Sequence, residues 1–209
     1  MTHNEFLSSA NIVDHESSVN DNTEMLYIAH TANNIAKKKG RTLNKQLKSS
    51  WSSVSESNKK PNKNANIGAK AAVISVGLGE SDPTGGAVYF DGTDFLAWGL
   101  KSPNGTPHNK FEEYKSIHIS EDIFTDYWIN NCEKYGEKVR YSGKKYNLPA
   151  TVFTTPQNWT ISLTVVNWST INERVTNTEK YFLYQTKKKN GKALKATKSA
   201  GLSIFWKIE

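Results

Sequence analysis

FLSSANIVDHESSV, residues Phe6 to Val19, spaces its apolar side chains with the period of an α-helix. At about 3.6 residues per turn, Phe6, Ala10 and Val13 share one face, and Leu7 and Ile12 flank it. Projection at about 100° per residue puts Glu16 between Ile12 and Val13, inside that apolar arc, and points His15 away from it. Asp14 falls near Leu7 on the opposite flank, so the projection leaves two candidate carboxylates. Glu16 is preferred, because its nearest helical neighbours are the bulky Ile12 and Val13. An unpaired carboxyl taken out of water responds with a raised pKa. Such a group stays protonated near neutral pH, as a general acid must. The plainer alternative is that Glu16 pairs with a basic side chain or caps a neighbouring helix.

Beyond Phe6–Val19, Asp21 and Glu24 form the signature of a capping box opening a second helix over 22–39. Its stripe is Met25, Ile28, Ala29, Ala32, Ile35 and Ala36, small enough for close packing, with the first helix as the expected partner. Lys37 to Lys39 sit at the negative end of its dipole and Gly40 ends it. His30 and Asn34 lie off the stripe and read as surface or inter-helix polar groups, whereas Asn33 borders it. Thr42 caps a weaker helix carrying Leu43, Leu47 and Trp51. The Ser/Asn/Lys-rich stretch from Ser52 to Asn66 reads as a mobile loop. Ile67 to Leu78 is apolar nearly all round and predicts a buried central helix.

Asp82 to Ala87, DPTGGA, predicts a tight bend. Pro83 fixes φ, Gly85 and Gly86 permit positive φ or close backbone approach, and Asp82 caps the turn through its side chain. Ala87–Phe90 and Phe95–Trp98 read as a short hairpin. Lys115–Ile119 is a candidate strand, and Ser120 opens a helix whose stripe runs from Phe124 to Tyr135, which makes Cys132 a core thiol. From Lys138 the period changes to two. Thr160–Trp168 alternates, Asn190-Gly191 predicts a hairpin between Tyr181–Thr186 and Ala193–Thr197, and Ile204, Trp206 and Ile208 are in phase on a last strand. The expected class is therefore α+β: a mainly α-helical domain with a short hairpin over 1–137, then a small antiparallel β unit over 138–209.

The 209 residues suffice for a buried core, and no apolar run reaches the length that spans a bilayer, so no stable membrane insertion is expected. The start, MTHNEFLSS, lacks a basic segment followed by an apolar one, so no secretory signal is expected. With one cysteine there is no intrachain disulfide, and no Cys/His cluster has zinc spacing, so neither metal nor cofactor is expected. The net charge of +7 favours polyanions, whether wall polymer, anionic membrane or nucleic acid.

Two blocks resemble a known family. Ala10–Asn34 carries Glu16, the small polar Ser17 and Ser18, then Tyr27-Ile28-Ala29 and Asn33; Ala71–Phe90 reads AAVISVGLGESDPTGGAVYF. Their order resembles that of cell wall hydrolases of the spore cortex-lytic enzyme type, over roughly residues 6 to 100. The segment between the blocks is more polar here than is usual there, and the β unit lies outside the family core. The resemblance selects Glu16 over Asp14. It implies a lysozyme-like domain resembling lytic transglycosylases, cutting peptidoglycan glycan strands between N-acetylmuramic acid and N-acetylglucosamine. Glu16 would be the catalytic acid and base. Ser17, Ser18, Asn33, Asp82, Thr84, Gly85, Gly86 and Tyr89 would line the substrate, with Asp82 more readily a turn residue. Without a signal, such an enzyme is expected to be made in the cytoplasm and delivered to another cell's periplasm or wall as an antibacterial toxin, countered by an immunity protein that plugs the cleft. Two other classes compete. A basic nuclease toxin would draw on His15, His30, His108 and Asn109, though no pair has ligand spacing. A non-catalytic wall-binding module would rest on the β unit.

Overall fold

A computed structural model describes residues 1–17, 19–50, 54–92, 116–120, 122–123, 126, 153–154, 160–161, 181–185 and 191–209. The class is α+β. The chain divides into two compact units, Met1–Phe90 and Asp91–Glu209.

In the first unit α1 spans His3–Glu16. It begins earlier than the apolar pattern indicates because Thr2 and Glu5 form a reciprocal capping box: Thr2 N–H donates to Glu5 Oε2 at 2.8 Å and Glu5 N–H to Thr2 Oγ1 at 3.2 Å. Every residue from Leu7 to Val13 is buried, polar ones included. Two of the polar ones, Ser8 and Asn11, are satisfied by the segment expected to be a mobile loop. Ser8 Oγ donates to the Lys59 carbonyl at 2.5 Å, and Asn11 Nδ2 donates to the Asn58 carbonyl at 2.6 Å. Asn62 Nδ2 donates to Asn11 Oδ1 at 3.0 Å, and Val54 and Ala65 are buried at the segment's two ends. Residues 54–66 are therefore an ordered cover over the polar side of α1, and their Ser/Asn-rich composition serves internal hydrogen bonding.

Helix α2, Asn22–Lys38, is opened by Asp21, whose Oδ1 accepts the Glu24 N–H at 2.9 Å, and is stopped by Gly40 at φ +60°. Met25, Ile28, Ala29, Ala32 and Ala36 are buried as the stripe predicts. Its main partner is α4, Ile67–Leu78, rather than α1. Helix α3, Leu43–Ser50, is tied to α1 by Asn44 Nδ2, which donates to Ser9 Oγ and to the Glu5 carbonyl, both at 3.0 Å.

Helix α4 departs from its sequence pattern. Its buried residues are Ala69, Ala72, Val73 and Ser75, while Ile67, Ile74 and Leu78 are 81%, 49% and 74% exposed. Close packing of α2 side chains on α4 explains the choice of face. A Cβ on Gly68 would lie 2.1 Å from Asn22 Oδ1 and 3.2 Å from Met25 Sδ, so α4 turns its small residues toward α2 and leaves its isoleucines outside.

Strand β1, Tyr89–Gly92, runs through positions expected to turn; the expected partner Phe95–Trp98 lies outside the described residues. In the second unit β2 (Ser116–Ser120), β3 (Phe153–Thr154), β4 (Thr160–Ile161), β5 (Tyr181–Gln185), β6 (Ala193–Ala200) and β7 (Ser203–Ile208) lie in the order β7-β6-β2-β5-β3-β4. The predicted β5–β6 hairpin is not formed. β2 sits between them, antiparallel to β5 and parallel to β6, so the sheet is mixed rather than antiparallel. The tight hairpin is β6–β7, turning at Gly201 with φ +54°. β7 does not alternate: Ser203, Ile204, Phe205 and Trp206 are all buried, so both faces of the strand are covered. The expected helix stripe from Phe124 to Tyr135, and most of Thr160–Trp168, lie outside the described residues.

Asn11→Ala is expected to cost about 1–3 kcal/mol, because it removes a buried amide that ties α1 to the Asn58 carbonyl and the Asn62 side chain. Ile67→Ala should stay within about 0.5 kcal/mol. Urea unfolding of the full chain checks both, and hydrogen exchange in Asn11→Ala should speed up selectively over 54–66.

Candidate functional site

Glu16 is the last residue of α1 and is half-buried, one turn after the fully buried Ile12 and Val13. The two carboxylates left open by the helical projection have different surroundings. Asp14 Oδ2 accepts the backbone N–H of Asn66 at 2.9 Å, the residue that caps α4, so Asp14 joins α1 to the start of α4. His15 is exposed, as projected. Ser17 follows Glu16 as the C-cap, its N–H donating to the Val13 carbonyl. Its Oγ donates at 2.7 Å to Glu24 Oε2, a carboxylate group of α2 that has no exposed surface. Glu24 was read from sequence only as half of a capping box; the contact across the α1–α2 turn requires the folded chain. Ser18 lies outside the described residues.

The DPTGGA bend is a closed hydrogen-bond system around Asp82. Oδ1 accepts Thr84 N–H at 2.8 Å and Thr84 Oγ1 at 2.6 Å; Oδ2 accepts Gly86 N–H and Asn34 Nδ2, both at 2.9 Å. Asn34 Nδ2 also donates to the Ala87 carbonyl at 2.9 Å, and Ala87 N–H to Thr84 Oγ1 at 3.1 Å. Gly85 and Gly86 have φ of +67° and +86°. A Cβ on Gly86 would meet nothing within 4 Å, so glycine is needed there for its dihedral and not for a close approach. Of the two glycine amides expected near a sugar, that of Gly86 is spent on Asp82, as is the Thr84 amide, and Thr84 is fully buried. Asp82 is thus a turn residue. The amide holding the bend belongs to Asn34, read from sequence as a surface or inter-helix group. Tyr89, half-buried, opens β1.

A second polar chain joins the bend to α4. His30 is buried, and its Nε2 lies 3.0 Å from Ser75 Oγ, an inter-helix hydrogen bond as expected. Ser75 Oγ donates to Glu80 Oε2 at 2.6 Å, which commits its single proton. His30 Nε2 must then donate to Ser75, and Nδ1 carries the lone pair, 4.0 Å from Asp82 Oδ1. Burial pushes the His30 pKa down, against the attraction of Asp82 and Glu80, and Lys37 adds to the lowering. For Asp82 burial acts upward, but the hydrogen bonds from Thr84, Asn34 and Gly86 outweigh it and hold the carboxyl below the usual range.

These contacts place Glu16 and the bend at opposite ends of α2. Ser17, beside Glu16, touches Glu24 in the first turn of α2, and the bend is held by Asn34, ten residues on. That separation is about 15 Å of helix. Asp82, Thr84, Gly85 and Gly86 therefore form one unit, and Glu16 and Ser17 another. His108, Asn109 and Cys132 lie outside the described residues. Among the described residues no group of three His, Cys, Asp or Glu is placed to hold a metal, and no helix is long and apolar enough to cross a membrane.

Comparison with protein-family models, curated proteins and solved structures gives no match to this chain.

Asn34→Asp is expected to destabilise more than Asn34→Ala, because it sets a second carboxylate against Asp82; each should cost at least about 1 kcal/mol, and acidification should narrow the gap. Denaturant titration of both variants at several pH values tests this.

Acid should also weaken the wild type in two stages. The fold prefers neutral His30, so its contribution is complete above about pH 6.5 and is lost as pH falls toward its lowered folded value. The contribution of Asp82 is complete above about pH 3.9 and is lost as pH falls through its still lower folded value. His30→Gln, which keeps a donor for Ser75, should remove the upper stage from a stability–pH curve and leave the lower one.

Proposed function

We propose that this chain cleaves the glycan strands of peptidoglycan between N-acetylmuramic acid and N-acetylglucosamine, with Glu16 as the single acid and base in a lysozyme-like helical domain. The observation that carries the reading is the position of Glu16: it ends α1 directly above the fully buried Ile12 and Val13, half withdrawn from water, while Asp14 is committed to the α4 cap. The resemblance of Ala10–Asn34 and Ala71–Phe90 to cell wall hydrolases of the spore cortex-lytic type supports the same choice of residue.

In this reaction the Glu16 carboxylic acid gives its proton to the glycosidic oxygen as the C1–O bond breaks, and the glucosamine-side sugar leaves as an alcohol. The Glu16 carboxylate then takes the proton of the muramic C6 hydroxyl while that oxygen bonds to C1. This closes a 1,6-anhydro ring and restores protonated Glu16. If water attacks C1 instead, the same residue takes the water's proton and the product is a reducing end. One residue can serve both steps because they occur in sequence at one carbon, C1, and the carboxylate left by the first step is the base the second requires. A second carboxylate from the bend is not required, and Asp82 is already saturated by its own turn. The net charge of +7 suits an anionic wall. The same reading extends to an antibacterial toxin acting in a target cell's periplasm or wall, with an immunity protein that covers Glu16.

Purified peptidoglycan incubated with wild type should yield soluble fragments ending in anhydro-muramic acid, read by mass spectrometry. Glu16→Gln should lower the rate by about 10²-fold or more. Undiminished digestion by Glu16→Gln would remove Glu16 from the mechanism. Degradation of nucleic acid in place of wall would replace the reading with a nuclease.

A further inference from the structure

The exposed isoleucines of α4 border a groove between α2 and α4, about 700 Å³ in volume. The two helices run in the same direction along it: Gly68 lies against Asn22, Ser75 against His30, and the bend after α4 against Asn34. Leu26, Ile67 and Ile74 supply the apolar wall. At one end is Asn66, whose Oδ1 accepts the Gly68 N–H at 2.8 Å, so that its NH₂ group is the part able to donate outward. At the other end are Ser75 and Glu80, and Glu80 is the one charged side chain among the described residues lining the groove. The Ser75 hydroxyl fixes one carboxylate oxygen of Glu80 at 2.6 Å, which orients the group in advance of any ligand.

An apolar trough closed by a lone carboxylate selects, at that end, against an anion and for a chain of methylenes ending in an ammonium. The length points to a peptide. The 12 residues of α4 extend about 18 Å, which spans about five extended residues. The Asn66 end also adjoins the last turn of α1, through the Asn66 N–H bond to Asp14, so an occupant entering there comes from the Glu16 side of the unit.

We propose that the α2–α4 groove binds a short extended peptide carrying a primary amine, with its ammonium on Glu80 and its methylenes on Leu26 and Ile74. In the substrate proposed above this is the peptide stem with its diamino-acid side chain. That identification rests on the wall-cleavage reading; the preference for an amine-bearing peptide does not. The enzyme then reads the stem some distance from the bond that Glu16 breaks, and cleaves amine-bearing wall in preference to wall whose amines are blocked.

The probe is a soluble Ala-γ-Glu-Lys-Ala tetrapeptide and its Nε-acetylated form, titrated into the full chain by calorimetry with amide NMR shifts as the locator. The free-amine peptide should bind wild type and Glu16→Gln alike and shift α4 amides. Acetylation should weaken binding about fivefold, the upper range for a solvent-accessible ion pair. Glu80→Gln, which keeps an oxygen for Ser75, should lose the same factor and become indifferent to acetylation. Equal binding of both peptides to wild type, or no shift on α4, overturns the proposal. If wall is cut but no peptide binds, the groove assignment falls alone. If the peptide binds through Glu80 but wall is never cut, the cleavage reading falls and the groove stands.

Discussion

Helix α1 has no side along its middle that faces water, and this constraint organises the first unit. A helix buried all round ordinarily carries apolar residues throughout. Here Ser8, Ser9, Asn11 and Asp14 interrupt the pattern, and each must find a partner inside the protein. Residues 58–60 supply carbonyls to Ser8 and Asn11, Asn44 of α3 reaches Ser9, and the cap residue of α4 donates to Asp14. Four short polar contacts thus fix the places of the covering segment, α3 and the start of α4 relative to one helix. Apolar burial drives the association, but it is non-directional; the amide and hydroxyl bonds set the register.

The bend after α4 is built on a similar principle with a charge at its centre. Asp82 accepts four hydrogen bonds, two from Thr84, one from Gly86 and one from Asn34. Asn34 connects that turn to the end of α2, and His30 with Ser75 and Glu80 connects it to α4. The consequence for function is a division of labour. Residues that the DPTGGA motif brings to mind as substrate contacts are occupied in shaping the turn. Glu80, by contrast, lines the groove along α4, and Glu16 lies at the other end of α2 from the bend.

Local pattern was legible where a residue's environment depends on its near neighbours. The Asp21 cap, the Met25–Ala36 stripe, the Gly40 stop, the positive-φ glycines of the bend and the turn-forming role of Asp82 all follow from contacts within a few residues. Even the overlooked Thr2–Glu5 box was readable, since its signal is a spacing of three. The polar cover over 54–66 was misread because composition reports solubility and not partnership: a Ser/Asn-rich segment is a loop beside water and a hydrogen-bonded layer beside Ser8 and Asn11.

What the amino-acid order determined alone was therefore the helices, their caps, the bend and the α+β class. Which face of α4 is buried was settled only in three dimensions, because Gly68 leaves room for the Asn22 and Met25 side chains of α2 where a larger residue would clash. The place of Ser116–Ser120 between β5 and β6, in defiance of the Asn190-Gly191 turn signal, was settled there too, since strand pairing joins segments far apart in sequence. So was the role of Asn34 in holding the bend. Helical period ranks positions by angle, whereas the hydrogen bonds that Asn34 makes depend on a turn 48 residues away.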